Sequence, residues 1–262
     1  MRQKTNRKIG LARALSKLGY CSRSHAAALI LAGRVSIDGK ISRNPENPVH
    51  GRSQIAVDGK EVRASEKIYF MLNKPRGVVT TASDEKGRET VYTILGERSD
   101  AEAKLPEPGE SWVAPVGRLD KASEGLLLLT NDSEWGAHVA APETHLDKTY
   151  HVKIGTLPDK EFVQALLRGV KANDGVALRA KHVNLLRAGE KNCWLEVVLD
   201  EGKNRQIRRM MEALGVEVLR LVRVGIGPLT LGDLAKGEHR ALTVEEKRML
   251  DRAMRVRLHE RD

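Results

Sequence analysis

Four leucines in a row, Leu126 to Leu129, follow directly on the polar turn Gly117-Arg118-Leu119-Asp120-Lys121-Ala122-Ser123-Glu124-Gly125. A strand with one wet face alternates apolar and polar residues. An unbroken apolar run instead predicts a strand covered on both faces, so the chain must build layers around it. The same run sets the carboxylate of Asp120 at the mouth of a hydrophobic core, where an unpaired charge is costly. Chemistry alone leaves Asp120 two readings: a cap for the local turn backbone, or a functional acid that needs a partner.

Charge bounds the partner. Lys and Arg number 45 against 35 Asp and Glu, a formal net charge of +10, which favours a polyanion and puts nucleic acid ahead of membrane. No apolar run approaches the roughly 20 residues of a spanning helix, and the basic N-terminus lacks the apolar stretch of a secretory signal. Cys21 and Cys193 are too few for a disulfide framework and have no zinc spacing, as expected of a cytoplasmic chain. Aromatic residues make up only 3%, too few to pave a sheet with stacking rings. Binding should therefore rest on Lys and Arg at phosphates.

The chain ahead of the leucine run divides by pattern. Ile9, Leu11, Leu15 and Leu18 recur near helical spacing up to Gly19. Ser22 fits the N-cap of a second helix, Arg23 to Ala32, which Gly33 ends. Val35 to Ile41 and Ile55 to Val62 each alternate about an Asp-Gly pair, a strong hairpin signal. Residues 8–64 therefore predict a small α/β module, with Arg13, Lys17, Arg23 and Arg34 as its candidate nucleic-acid contacts. Residues 65–67 read as a linker, 68–250 as a larger domain, and 251–262 as a basic C-terminal helix or tail.

In the larger domain an apolar strand, Ile68 to Leu72, runs into Asn73-Lys74-Pro75-Arg76-Gly77, a turn that would hold Lys74 and Arg76 towards a phosphate. Asp100 to Glu110 reads as an irregular acidic excursion. Asp132 fits a helix cap. His138 and His145 have neither metal-ligand nor triad spacing, so packed or solvated histidines are the simpler reading. Lys148 to Ile154 alternates as a strand with Tyr150, Val152 and Ile154 on one face. A helix from Lys160, strands over Val176 to Ala188 and Cys193 to Leu199, and a strand over Val218 to Val224 complete an α+β pattern with a mixed or antiparallel sheet. Between the last two, Gly202 permits a tight turn before a helix that buries Ile207, Met210, Met211 and Leu214. Arg205, Arg208 and Arg209 crowd together there and repel one another unless an anion joins them.

These motifs carry a resemblance over nearly the whole chain. Gly117-Arg118-Leu119-Asp120 with Ser123 and Gly125-Leu126-Leu127, Lys74-Pro75-Arg76-Gly77, Lys148-Thr149-Tyr150 and Gln206-Ile207-Arg208-Arg209 resemble the motifs of pseudouridine synthases that modify single sites in ribosomal RNA. Residues 8–64 resemble the αL-type RNA-binding domain of a small-subunit ribosomal protein and several RNA-modifying enzymes. Its second helix departs from that pattern, with Ser24, His25, Ala27 and Ala28 at positions usually charged.

The resemblance implies that Asp120 is the catalytic carboxylate, Tyr150 an active-site ring for an extruded base, Arg208 the partner of Asp120, and Leu221 an apolar residue lining the pocket. Arg118, Lys203, Arg205 and Arg209 become phosphate contacts. The implied reaction isomerises a specific uridine to pseudouridine and needs no metal, nucleotide or redox cofactor. It leaves open whether Asp120 is a nucleophile or a base. A monomer acting on ribosomal RNA or an assembly intermediate is expected. A non-catalytic RNA-binding assembly factor is the alternative. A methyltransferase would need a glycine-rich nucleotide loop that the chain lacks.

Overall fold

The structure, a computed structural model, describes residues 8–81, 86–97 and 112–259. The acidic stretch expected from Asp100 to Glu110 lies outside them. The chain divides into two compact units, one from Met1–Tyr69, Lys104–Ala114 and Leu129–Gly136, the other from Phe70–Ala103, Pro115–Leu128 and Ala137–Asp262.

In the smaller unit, helices Leu11–Lys17 and Arg23–Leu31 pack over a four-stranded sheet ordered Lys40–Ser42, Val35–Ile37, Ile55–Val57, Lys60–Glu61. Ser22 caps the second helix by accepting from the His25 amide at 3.1 Å. Both hairpins turn through an Asp-Gly pair with positive φ at each residue, 49° and 79° at Asp38-Gly39 and 50° and 76° at Asp58-Gly59. That geometry matches the twist of the flanking strands. Leu11, Leu15, Ile30 and Val35 are fully buried in its core, each burial contributing about 1.5–3 kcal/mol. Ile9, placed by periodicity in the first helix, instead pairs with Val49 in a short ladder. Residues 65–67 are tied down. Ser65 donates its amide to Leu18 O at 3.0 Å, Lys67 Nζ reaches Lys17 O, and Asn131 Nδ2 donates to Glu66 O at 2.7 Å.

The larger unit is built on a sheet that counts nine strands among the described residues. Its main path runs His182–Ala188, Cys193–Leu199, Lys148–Ile154, Val218–Ile226, Glu124–Thr130, Tyr69–Lys74, His239–Ala241. Every residue of Glu124–Thr130 is buried, as the leucine run requires. Its pairing with Val218–Ile226 is parallel, Val222 opposite Glu124 and Arg223 opposite Gly125, whereas Lys148–Ile154 is antiparallel to both its neighbours. The sheet is mixed and the class α+β. Gly125 has φ 103°, and a Cβ there would lie 2.2 Å from Arg223 O. Only glycine lets the two backbones approach this closely.

Helix Gln206–Ala213 lays Ile207, Met210 and Met211 against Val152, Ile154, Leu195 and Val197 of the sheet. Helix Lys160–Arg168 starts at Asp159, whose carboxylate accepts from the Phe162 amide at 2.7 Å, and stops at Gly169. The strand expected over Val176 to Ala188 is two, Ala177–Leu178 and His182–Ala188, because the Ala180 amide turns aside to Leu166 O. Helix Val244–His259 is anchored by Leu250 and Met254. Among the described residues no helix is long and apolar enough to cross a membrane.

Candidate active site

Backbone devices place Asp120. Gly117 turns the chain with φ 71°, and Ser123 closes the next turn by donating its amide to Asp120 O at 2.9 Å. On either side Thr80 Oγ1 donates to Leu119 O at 2.8 Å and the Gly77 amide to Lys121 O at 2.8 Å. The carboxylate, 31% exposed, faces a cleft of about 380 Å³ that Tyr150 and Leu221 also line. Tyr150 stands opposite Arg223 and Leu221 opposite Val152 in the same strand pair, so the sheet presents Tyr150, Leu221 and Arg223 on one face. The three elements that carry the site motifs (the Asp120 turn, the Tyr150 strand and the arginine helix) converge here.

The arginines are arranged differently from the expectation. The guanidinium at Asp120 belongs to Arg205, whose Nη1 lies 3.6 Å from Oδ2. Arg208 makes no ion pair with Asp120. It donates Nη2 to Ala122 O at 2.9 Å and Nη1 to Val218 O at 3.4 Å, while its enclosed Nε has no partner. Helix geometry explains the exchange. Arg205 precedes the helix in the left-handed conformation, φ 48° and ψ 31°, which turns it to the cleft; Arg208, a turn inside, reaches only the backbone beneath Asp120. Gly202, the expected special turn residue, has an ordinary φ. Buried Gln206 braces the loop, donating to Arg179 O and Glu201 Oε1 and accepting from the Lys203 amide. Burial pulls the Arg208 pKa down, with neighbouring Arg205 adding to the effect and Asp120 opposing it.

The remaining cations sort by exposure. Arg118, Lys203 and Arg205 are exposed and line the cleft, although Lys203 also pairs with Glu201 at 3.0 Å. Arg76 is exposed beside it, reaching Leu219 O at 3.5 Å. Arg209 lies off the cleft, clamped on Asp174 at 2.5 and 2.6 Å. Lys74 offers a phosphate no surface. It is 0% exposed, and Nζ donates to the carbonyls of Pro75 at 2.9 Å and Val78 at 2.8 Å. In the smaller unit Lys17 pairs with Glu134 and Arg34 holds Asp58 through two bonds of 2.9 and 2.5 Å. Arg13 and Arg23 are exposed, with Arg13 close enough to Glu134 to help Lys17 lower the carboxyl pKa. His138 and His145 do not line the cleft.

Two charged residues escaped the sequence reading. Glu124 is buried, with Arg220 bidentate at 2.9 Å and Lys236 at 2.9 Å. Burial pushes its pKa up, but those two cations outweigh it and hold the carboxyl below its ordinary value. Arg223, 6% exposed, lines the cleft. The available signal was its two-residue offset from Leu221, which puts both on one face of the strand. Among the described residues no cluster of His, Cys, Asp and Glu is arranged to hold a metal ion.

Comparison with known proteins adds the following. Residues 68–213 match the family model described as RNA pseudouridylate synthase, and residues 9–55 the S4 domain. The chain is 38% identical over 242 residues to the ribosomal large subunit pseudouridine synthase B of Bacillus subtilis, covering 92% of this chain and 94% of that one. It is 34% identical over 247 residues to an uncharacterized RNA pseudouridine synthase of Aquifex aeolicus, covering 92% of each. A crystal structure of a pseudouridylate synthase superposes with a TM-score of 0.63 at 27% identity, over 92% of this chain and 99% of that one.

Proposed function

The chain belongs to the RNA pseudouridylate synthase family and carries an S4 domain, and from that premise we propose that Asp120 is its catalytic carboxylate and a uridine of large-subunit ribosomal RNA its substrate. The observation that carries the site assignment is the meeting of Asp120, Tyr150 and Leu221 in one cleft. An extruded uridine fits the chemistry of that cleft: its ring lies on Tyr150, with Leu221 as apolar floor. Asp120, as nucleophile or base, then acts on the nucleoside. The bond from C1′ to N1 breaks with its electron pair left on N1, the base turns, C5 joins C1′, the C5 proton departs and N1 takes up a proton. Arg205 balances the charge of Asp120. Arg208 acts as a positioning residue, fixing the turn through Ala122 O.

The ribosomal large-subunit assignment is supported by the name of the B. subtilis relative. Residues 8–64 are proposed as the module that docks the RNA, through Arg13 and Arg23 above all. Phosphates entering the cleft meet Arg118, Lys203 and Arg205. Since one chain supplies every lining residue, a monomer suffices. The proposed setting is the cytoplasm, on ribosomal RNA or an assembly intermediate.

The test is tritium release from RNA carrying 5-tritiated uridine. Wild type should release it, and Asp120→Asn should not, while binding the RNA with an affinity within about twofold of wild type. Turnover by Asp120→Asn within about tenfold of wild type would remove Asp120 from the chemistry. Pseudouridine maps of total RNA from cells with and without the protein decide the target; a lost site outside large-subunit RNA would overturn that part.

A further inference from the structure

We propose that Arg223 reads the base: its guanidinium donates to a carbonyl oxygen of the uracil held in the cleft. This rests on the cleft being the uridine site. Arg223 stands directly across from Tyr150, and such cross-strand partners carry Cβ atoms about 4.5–5.5 Å apart. Both residues line the cleft, so a base lying on the tyrosine ring shares that space with the arginine. The side chain is 6% exposed and lines the cleft. Its one hydrogen bond among the described residues runs from Nε to Leu126 O at 2.8 Å, and Nη2 is enclosed with no partner. Among the described residues no carboxylate pairs with it, since Glu124 is taken by Arg220 and Lys236 and Asp120 faces Arg205.

An unpaired buried guanidinium cannot shed its proton, so it stays costly until something pairs with it. A phosphate is a poor occupant at that depth because it would lose its hydration, and the exposed cations at the cleft already suit it. A nucleobase presents neutral acceptors. Uracil has two carbonyl oxygens; cytosine replaces O4 with an amino donor, which a donor-only guanidinium cannot satisfy. With O4 as the accepting oxygen Arg223 selects uridine over cytidine, whereas O2 is common to both bases. When C1′–N1 breaks, the electron pair passes to N1 and spreads onto O2 and O4, where a fixed donor in a dry site stabilises it. Formation of C5–C1′, loss of the C5 proton and protonation of N1 return the base to neutrality.

The experiment compares wild type, Arg223→Met and Arg223→Lys on a short RNA bearing the mapped uridine, unmodified or with O4 or O2 replaced by sulfur, a weaker acceptor. Arg223→Met should lower kcat about 100-fold and leave RNA affinity nearly unchanged, with Arg223→Lys recovering part of the rate. At least one sulfur substitution should slow wild type and have no added effect on Arg223→Met, since the two changes remove the same contact. Equal sulfur effects in wild type and variant, or turnover by Arg223→Met close to wild type, would overturn the assignment. If Arg223→Met does not fold, Arg223→Lys decides: an altered sulfur effect supports the contact and an unaltered one refutes it. Asp120→Asn keeps the two readings apart. An active Asp120→Asn sinks the site itself, whereas an inactive one beside an unaffected Arg223→Met sinks only the role of Arg223.

Discussion

Replacing Lys74 by Met separates a buried cation from an RNA contact. Burial lowers the Lys74 pKa from 10.5 to about 8, with Arg223 pushing the same way and Glu124 and Asp120 opposing. That interval corresponds to about 3 kcal/mol at 1.36 kcal/mol per pH unit. Below pH 8 the folded and unfolded chains both hold the proton and the native state bears the full cost of a buried charge. Between about 8 and 10.5 the unfolded chain binds a proton that the folded chain does not, so stability rises with pH; above 10.5 both are neutral and the cost is gone. The carbonyls of Pro75 and Val78 lose their donor in Lys74→Met, which adds an offset independent of pH. Urea denaturation of both proteins from pH 7 to pH 10.5 should therefore show wild type gaining up to about 3 kcal/mol on the variant. A constant difference across that range would refute the buried-ammonium argument. The same variant should leave the slope of log affinity against log salt unchanged, whereas loss of a true phosphate contact makes it shallower by about 0.7–0.9.

Gly125→Ala forces a Cβ onto Arg223 O and should cost at least about 2 kcal/mol in urea midpoint measurements, with loss of activity. Arg205→Gln should change stability by less than about 1 kcal/mol, because its pair with Asp120 is half-exposed, but weaken RNA binding in a salt-dependent manner. Arg208→Met removes a partly buried charged donor from Ala122 O and should cost about 2 kcal/mol, with activity falling and the salt slope unchanged. Arg13→Gln with Arg23→Gln should make the salt slope shallower by about 1.4–1.8 while turnover of a short RNA survives.

Local chemistry carried most of the fold into the sequence. Ser22, Asp132 and Asp159 cap helices with their own side chains, the Asp-Gly turns need only their own φ angles, and the leucine run shows its burial by lacking alternation. What was hidden depends on distant partners. Nothing near Gly125 says that the backbone of Arg223 will press against it. Lys74 looks like a surface lysine after an apolar strand, and only the tertiary fold closes over it. The exchange of Arg205 for Arg208 at Asp120 turns on the left-handed φ of Arg205, which a motif does not encode. Glu124 reads as a polar turn residue until Arg220 and Lys236 arrive from later in the chain.

The short parallel pairing of Glu124 and Gly125 with Val222 and Arg223 also works as a gauge. Glu124 is pinned by two cations and Gly125 is wedged against a backbone, so the leucine strand cannot slide. A slip of one residue would move it about 3.3 Å and exchange its faces. Asp120 hangs from this fixed point by a turn of set length, and Tyr150 is in register with the same strand that supplies the other half of the pairing. The spacing between carboxylate and ring is thus inherited from the strand register, not adjusted within the cleft. Adding or removing a residue between Asp120 and Gly125 would consequently displace the carboxylate from the ring, whereas a change in a surface loop would leave that spacing intact.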